Sequence, residues 1–368
     1  MLAIAVHPGT AHSMHLREDH PEPELDGVPD GRGVLVELVA CGVDGTDREI
    51  LLAEYGAPPE GDDYLVTGHE NLGRVLEVGP RVRASIRPGG LVTATVRRPG
   101  SSLYDGIGMQ DFTTDDVYYE RGINLLHGFL TERYVDDERY MVPVPDALGE
   151  RGVLLEPISI AEKAVRQAEE IQRRLRVWRP VRAAVCGAGP IGLLTALALV
   201  LRDVDVTCWS RSRPPAPESE LVDALGARYV SSQDVSLEEA ATAHGPFDLI
   251  VEATGFSPLA WEAALAVGKN GVVVLTSVTG GERTTEIDAD RINNHLVLGN
   301  RVLVGIVNAS REDFATGVAD LVLAHTRFPG WLDRLLTTPI EGLERVEELA
   351  ARLEDPGEAI KTFVRPAR

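Results

Sequence analysis

The sequence predicts an α/β fold in two parts: a β-rich N-terminal domain followed by a doubly wound parallel sheet. Three observations predict it. The apolar run Ala183–Cys186 leads into Gly187, Gly189 and Gly192, and a second apolar run of helical length, Ile191 to Leu201, follows. From about residue 163, strand-like and amphipathic helical stretches alternate. Residues 1 to about 160 instead hold short β-rich runs punctuated by Gly, Pro and Asp. Alternation of strand and helix demands crossovers and a parallel sheet, whereas closely spaced short strands pair antiparallel.

In the N-terminal part the strand candidates are Leu2–Val6, Val34–Cys41, Leu72–Val78 and Leu91–Val96. Residues 97–118 read as one long polar loop, and loops of that length are usually functional or mobile. Behind it come Ala183–Cys186, Val206–Trp209, the shorter Arg228–Val230, Asp248–Glu252, Gly271–Thr276 and Val302–Ile306. Six such strands with crossovers make the doubly wound sheet. The tail from about 309 to 368 is helical and polar and ends in the strand-like Ile360–Val364. No internal repeat is visible.

Bulk properties narrow the function. A chain of 368 residues, 44% hydrophobic, is long enough for two globular domains. No apolar run reaches the roughly 18 residues of a membrane span. The N-terminus lacks the basic and long apolar segments of a secretory signal. Cys41, Cys186 and Cys208 sit in apolar runs as small core residues, without a disulfide framework. A cytoplasmic location follows as the expectation. The net charge of −21 disfavours nucleic acid and anionic membranes as partners. Lysine is confined to Lys163, Lys269 and Lys361, a pattern that fits either a salt-adapted source or a high-GC genome.

The glycine turn carries the first chemistry. Gly187 permits the tight turn, Gly189 lets a pyrophosphate approach the backbone, and Gly192 lets helix and strand pack closely. The helix then offers free N–H groups and a positive dipole end to phosphate. These flanks predict a dinucleotide site. An NAD site holds the ribose hydroxyls with an acid roughly 20 residues past the turn. Here that region reads Cys208-Trp-Ser-Arg-Ser-Arg-Pro214 and contains no acid. Ser210, Arg211 and Arg213 suit a 2′-phosphate, so NADP is expected, with NAD used less well.

A second constellation is scattered along the N-terminal part. Asp44 and His69-Glu70 each lie beside a glycine, and Glu156 sits in the apolar run Leu154-Leu-Glu-Pro-Ile158. A carboxylate among apolar residues must be paired or bind a metal. Asp44, His69, Glu70 and Glu156 offer one nitrogen and three carboxylates, donors that suit zinc with a position left for water or substrate. By spacing alone, His69 also reads as a satisfied histidine and Asp44 as a turn residue.

Asp44-Gly-Thr-Asp-Arg-Glu-Ile50, Gly68-His-Glu70, Thr95-Val-Arg-Arg98, Tyr119-Glu-Arg-Gly-Ile123, His127-Gly-Phe129, Glu156-Pro-Ile-Ser-Ile160 and Val304-Gly-Ile-Val-Asn308 occur in that order. Over nearly its whole length the chain resembles the zinc-dependent medium-chain dehydrogenase/reductase superfamily. Within it, the resemblance is to the archaeal-type, and especially halophilic, glucose dehydrogenases. This implies a GroES-like catalytic domain over 1–162 and 309–368 and a Rossmann domain over 163–308. It implies oxidation of an aldose, D-glucose first, at C1 to the lactone with NADP. Asp44, His69, Glu70 and Glu156 would hold one catalytic zinc, with Thr46 as proton relay. Glu120, His127, Asn300 and Asn308, with Thr46, would meet the sugar. Gly187, Gly189, Pro190, Ile191, Gly192, Ser210, Arg211, Arg213, Thr254 and Asn308 would meet the cofactor.

Asp44 stands where the broad superfamily carries a cysteine, as in the halophilic members. The superfamily's four-cysteine lobe would fall in 97–118, where no cysteine occurs, so no structural zinc is expected. A homodimer or homotetramer is implied, with Val302–Val307 as a candidate edge strand. Two other readings stand beside this one. One is a dehydrogenase of another polyol, amino-cyclitol or sugar nucleotide, since the histidine that relatives carry near Asn300 has no clear match in Val297-Leu-Gly-Asn300. The other is a metal-free quinone or enone reductase, or a regulatory nucleotide-binding protein. Such reductases typically lack Gly-His-Glu.

Overall fold

The strand Gly33–Val43 organises the first half of the chain, its buried positions running almost unbroken from Leu38 to the site. In the computed structural model, which describes residues 1–277 and 282–367, it pairs antiparallel with Glu70–Val78 on one side. On its other side it pairs with Arg133–Asp137 and with Thr362–Arg365. Leu91–Ala94, Met141–Val144 and Thr338–Glu341 complete a seven-stranded sheet. Two three-stranded sheets accompany it. One is built on Ala3–Val6, and the other holds Arg97–Arg98, Tyr119–Arg121 and Leu125–Leu126. The core joins Val34, Val36, Leu38, Phe129 and Tyr134 to Ile340, Leu349, Leu353 and Val364. Burial of these apolar side chains is what ties the end of the chain to its beginning.

A separate unit carries the parallel sheet. Its order is Arg228–Ser231, Asp205–Ser210, Arg182–Cys186, Phe247–Glu252, Val267–Leu275, Val302–Gly305. Every pairing in it is parallel. In chain order this is the doubly wound arrangement, with the switch point between Arg182–Cys186 and Phe247–Glu252. The helix Pro190–Leu201 is buried continuously from Gly192 to Leu199. That is why it is apolar all round rather than on one stripe.

Contacts divide the chain into Met1–Glu156 with Asn308–Val322 and Leu332–Arg368, and Pro157–Val307 with Leu323–Trp331. The sequence reading divides it at 162/163 and 308/309 and leaves no part of the tail with the second unit. Two elements differ from expectation. Residues 97–118 are not a bare loop: Arg97–Arg98 is a strand, and Leu103–Gly106 is a helical turn. Asp105 accepts from the Ser102 and Thr113 hydroxyls, and Asp115 accepts from the Ser101 N–H and hydroxyl. Hydrogen bonds therefore order this stretch. The tail carries the strand Thr338–Glu341, which the polar sequence concealed.

Candidate active site

Asp44 follows the long strand and caps the short helix Gly45–Leu51. Its Oδ1 accepts the Thr46 N–H at 2.8 Å and the Asp47 N–H at 3.4 Å, while Asp47 Oδ2 accepts the Asp44 N–H at 3.1 Å. Such reciprocal capping satisfies the free donors of a helix start. It occupies one Asp44 oxygen and leaves Oδ2 facing His69 Nε2 at 3.7 Å. On the opposite side of the ring, His69 Nδ1 faces Asp47 Oδ2 at 3.8 Å. Asp47 Oδ1 also accepts the Gly68 N–H, tying helix to turn.

His69 is 4% exposed, and its Nδ1 lacks a hydrogen-bond partner among the described residues. Neither carboxylate is close enough to the ring for a hydrogen bond. The Asp44–His69 separation instead suits two ligands of one tetrahedral ion, which stand roughly 3.3–3.6 Å apart at zinc bond lengths. His69, Glu70 and Glu156 can also present ligand atoms within 4.8 Å of one another. Glu156 begins the helix Leu155–Gln172 and is buried.

The electrostatics ask for a cation. Burial pushes Glu156 up to about 8, against the pull of His69. Burial also raises Asp47 to about 6, with Asp44 and Glu70 adding to the rise. Burial acts on Asp44 in the same sense, but His69 overcomes it and holds Asp44 below the usual carboxylate range. Lys361, paired with Glu70, supplies one positive charge here, and Asp44, Asp47 and Glu156 still crowd His69 in a dry site. A divalent ion fits the donor set, with Asp47 facing the far nitrogen of His69 at 3.8 Å.

Beside this cluster lies a polar one. Glu120, on Tyr119–Arg121, is 2% exposed. Its Oε1 accepts from Arg97 Nε at 3.1 Å and Nη2 at 2.6 Å, and from Asn308 Nδ2. Glu120 and Asn308 were each expected at the sugar, and the fold brings these two together across 188 residues. His127 sits apart from that cluster's bonds. Its Nδ1 accepts the Val66 N–H, its Nε2 pairs with Asp62 at 3.1 Å, and its ring stacks on Tyr64. Both ring nitrogens are thus used within the protein. Thr46 is half-buried at the first turn. Asn300 belongs to the other unit, where it closes the helix Ala289–Gly299 in a left-handed conformation. Its carbonyl accepts from Arg174, and His295 Nε2 lies 3.2 Å from the Val267 carbonyl.

In the parallel-sheet unit, Gly187 has a φ of +107°, and a side chain on Gly192 would collide with the Gly187 carbonyl. A side chain on Gly189 would meet nothing of the protein, so its absence leaves room for a ligand. Gly189 caps the helix without a side-chain bond, and Pro190 and Ile191 open it. At the end of the second strand, Ser210 is half-buried and Arg211 exposed, without an ion pair among the described residues. Arg213 Nη2 pairs with Asp234 at 2.7 Å. Thr254 follows the fourth strand and donates both its N–H, at 2.6 Å, and its hydroxyl to Glu252 Oε1. These residues fit a dinucleotide with a phosphorylated ribose.

The sequence reading missed Asp47, Arg97 and Lys361. Asp47 carried a signal, since an Asp-x-x-Asp pair at a helix start is a capping box.

A β domain with a Gly-His-Glu turn and an acidic ligand set, joined to a doubly wound dinucleotide-binding sheet, defines a zinc-type medium-chain dehydrogenase. The model described as "Alcohol dehydrogenase GroES-like domain" matches residues 30–146, and that described as "Glucose dehydrogenase C-terminus" matches residues 149–365. The chain belongs to the glucose dehydrogenase family. It is 40% identical to the glucose 1-dehydrogenase of Methanocella arvoryzae and 35% identical to that of Haloferax mediterranei, over 99% of each chain in both cases. The structure of Haloferax mediterranei glucose dehydrogenase in complex with NADP, Zn and gluconolactone matches all of both chains, with a TM-score of 0.87 and 34% identity.

Proposed function

We propose that this protein oxidises D-glucose at C1 to the lactone, with NADP as acceptor and one zinc held by Asp44, His69, Glu70 and Glu156. The observation that carries the reading is the 3.7 Å separation of Asp44 Oδ2 and His69 Nε2, too long for a hydrogen bond and suited to a shared ion. The family's relatives named above support the substrate and the cofactor. Exposed Arg211 on a strand end without an acid supports NADP over NAD.

Bound zinc supplies a Lewis acid at the reacting hydroxyl, and NADP supplies the hydride acceptor. The chain's residues do the rest. Asp44 is the fixed ligand, held by the helix cap, and His69 faces it at 3.7 Å. Glu70 and Glu156 complete the set. Thr46 Oγ1 takes the proton leaving the sugar and passes it to solvent, which its half-buried position permits. Glu120 and Asn308 hold the sugar's other hydroxyls. We assign a single zinc per chain, since residues 97–118 contain no cysteine and are ordered by Ser102, Asp105, Thr113 and Asp115.

We also read the protein as a cytoplasmic homodimer or homotetramer. Its three cysteines are buried thiols, and Val302–Gly305 ends its sheet near exposed Val297, Leu298 and Val307. No helix among the described residues is long and apolar enough to cross a membrane. The testing experiment is the initial rate of NADP reduction over a panel of aldoses, before chelation, after it, and after zinc is restored. Zinc-restorable turnover of glucose is the expected result. Bound zinc with no aldose turned over would overturn the substrate assignment.

A further inference from the structure

An Arg–carboxylate pair made for stability usually engages both oxygens, the fork of the guanidinium matching the fork of the acid. Arg97 does not do this. Its Nε and Nη2 both donate to Glu120 Oε1, at 3.1 and 2.6 Å, and Asn308 Nδ2 donates to the same oxygen. Glu120 Oε2 is buried and has no hydrogen-bond partner among the described residues. A buried carboxylate oxygen left without donors costs about 1–3 kcal/mol or more, so such an oxygen marks a place that a ligand completes.

The guanidinium is fixed in this unusual rotation. Its carbon lies 4.8 Å from the centre of the Tyr118 ring, and the Tyr118 hydroxyl is 2.7 Å from the Tyr55 hydroxyl. Stacking on an aromatic face sets the plane of an arginine as a lysine's point charge cannot be set. The strand partner register places Arg97 directly opposite Glu120. Two residues on, Gly122 packs so closely on Gly68 that a side chain there would strike the Gly68 carbonyl. Glu120 therefore belongs to the segment that borders the Gly-His-Glu turn.

We infer that Arg97 is a positioning residue for sugar recognition: it saturates Glu120 Oε1 and leaves Oε2 to accept from a sugar hydroxyl. This rests on the reading of the site as an aldose site. The ligand presents a hydrogen-bond donor there, as an aldose hydroxyl does, because an open carboxylate oxygen accepts from a donor and repels a phosphate or carboxylate. Lysine at position 97 keeps the charge but loses the two-donor grip, so the carboxylate is free to turn and either oxygen can be taken up within the protein.

The experiment is steady-state kinetics of the wild type and R97K, both zinc-loaded, with glucose, 2-deoxyglucose and 3-deoxyglucose. A site built to bond a hydroxyl rejects the analogue without it strongly. The wild type is expected to lose at least about tenfold in kcat/KM on one deoxy sugar. R97K is expected to lose about tenfold on glucose, chiefly through KM, and less than about threefold on that deoxy sugar, so that discrimination collapses. Zinc content and the KM for NADP should not move. Equal losses on all three sugars, or none, would overturn the inference while wild-type turnover of glucose keeps the functional reading. Absent wild-type turnover sinks that reading by itself. Should R97K fold poorly, Y118L, which removes the ring beneath the guanidinium, must shift discrimination in the same direction, and unchanged discrimination in Y118L overturns the inference.

Discussion

Lys361, in the last stretch of the chain, forms an ion pair with Glu70 of the Gly-His-Glu turn, with both side chains 1% exposed. Lys361 Nζ also donates to the Val43 carbonyl at 3.0 Å. Gly42 makes the room for them, since a side chain there would collide with Glu70 Oε2 and crowd Lys361 Cε. The pair fastens the final strand to the site. Removing one partner strands a buried charge, which costs about 3–5 kcal/mol. In the metal-free protein, where no zinc neutralises Glu70, K361M is therefore expected to lower the melting temperature sharply. E70Q added to K361M should recover part of the loss, with a coupling of about 1–3 kcal/mol in a double-mutant cycle. Additive losses would show that the two do not act as a pair.

Asp44 has two duties, and two substitutions separate them. Its Oδ1 caps the helix, and its Oδ2 faces His69. D44A removes both, at a cost of roughly 1 kcal/mol for the cap. D44N caps as well as aspartate but lacks the charge a metal needs. Both variants are expected to lose zinc by metal analysis and to lose activity. Compared metal-free, so that zinc adds nothing to the wild type, only D44A should show the lower stability. A D44N protein that keeps a full zinc complement would remove Asp44 from the ligand set.

Much of this architecture was legible in the sequence because hydrophobic period and glycine placement are local. The run Ala183–Cys186 and its glycines name the first strand and helix of the sheet without help from distant residues. Asp44, His69, Glu70 and Glu156 stood out because charged groups in apolar or glycine-flanked runs need a reason. Lys361 did not, since its meaning lies in a carbonyl 318 residues away. Arg97 and Arg98 read as polar loop, yet both are buried strand residues. Their order comes from Glu120 and Asp136, which no local pattern announces.

The choice of cofactor should depend on Arg211 more than on Arg213. Arg213 is drawn to Asp234 at 2.7 Å, whereas Arg211 makes no ion pair among the described residues. A hydrogen bond to a charged group is worth about 1.5–3 kcal/mol, or roughly 10- to 100-fold in affinity. R211A is expected to raise the KM for NADP by about that factor and to leave the KM for NAD within about twofold. R213A should have the smaller effect, because Asp234 already takes a share of its charge. Equal effects of R211A on NADP and NAD would refute the 2′-phosphate assignment.

Asp136 gives the fold a pH dependence whose sign can be worked out. It is 4% exposed and paired with Arg98 and, at 3.2 Å, with Arg121. Burial raises its pKa, but Arg121 and Arg98 outweigh burial and hold it below the usual carboxylate range. The unfolded chain, with an aspartate near about 3.9, then takes up this proton first as pH falls. Stability from Asp136 is complete above about pH 5 and drains away as pH drops through the folded value. D136N leaves two guanidinium groups uncompensated, a loss of about 3–5 kcal/mol at neutral pH. Thermal melts of wild type and D136N should therefore run parallel from pH 8 to about pH 5 and converge below it. A gap of constant width down to pH 3 would mean that Asp136 is held by packing and not by its charge.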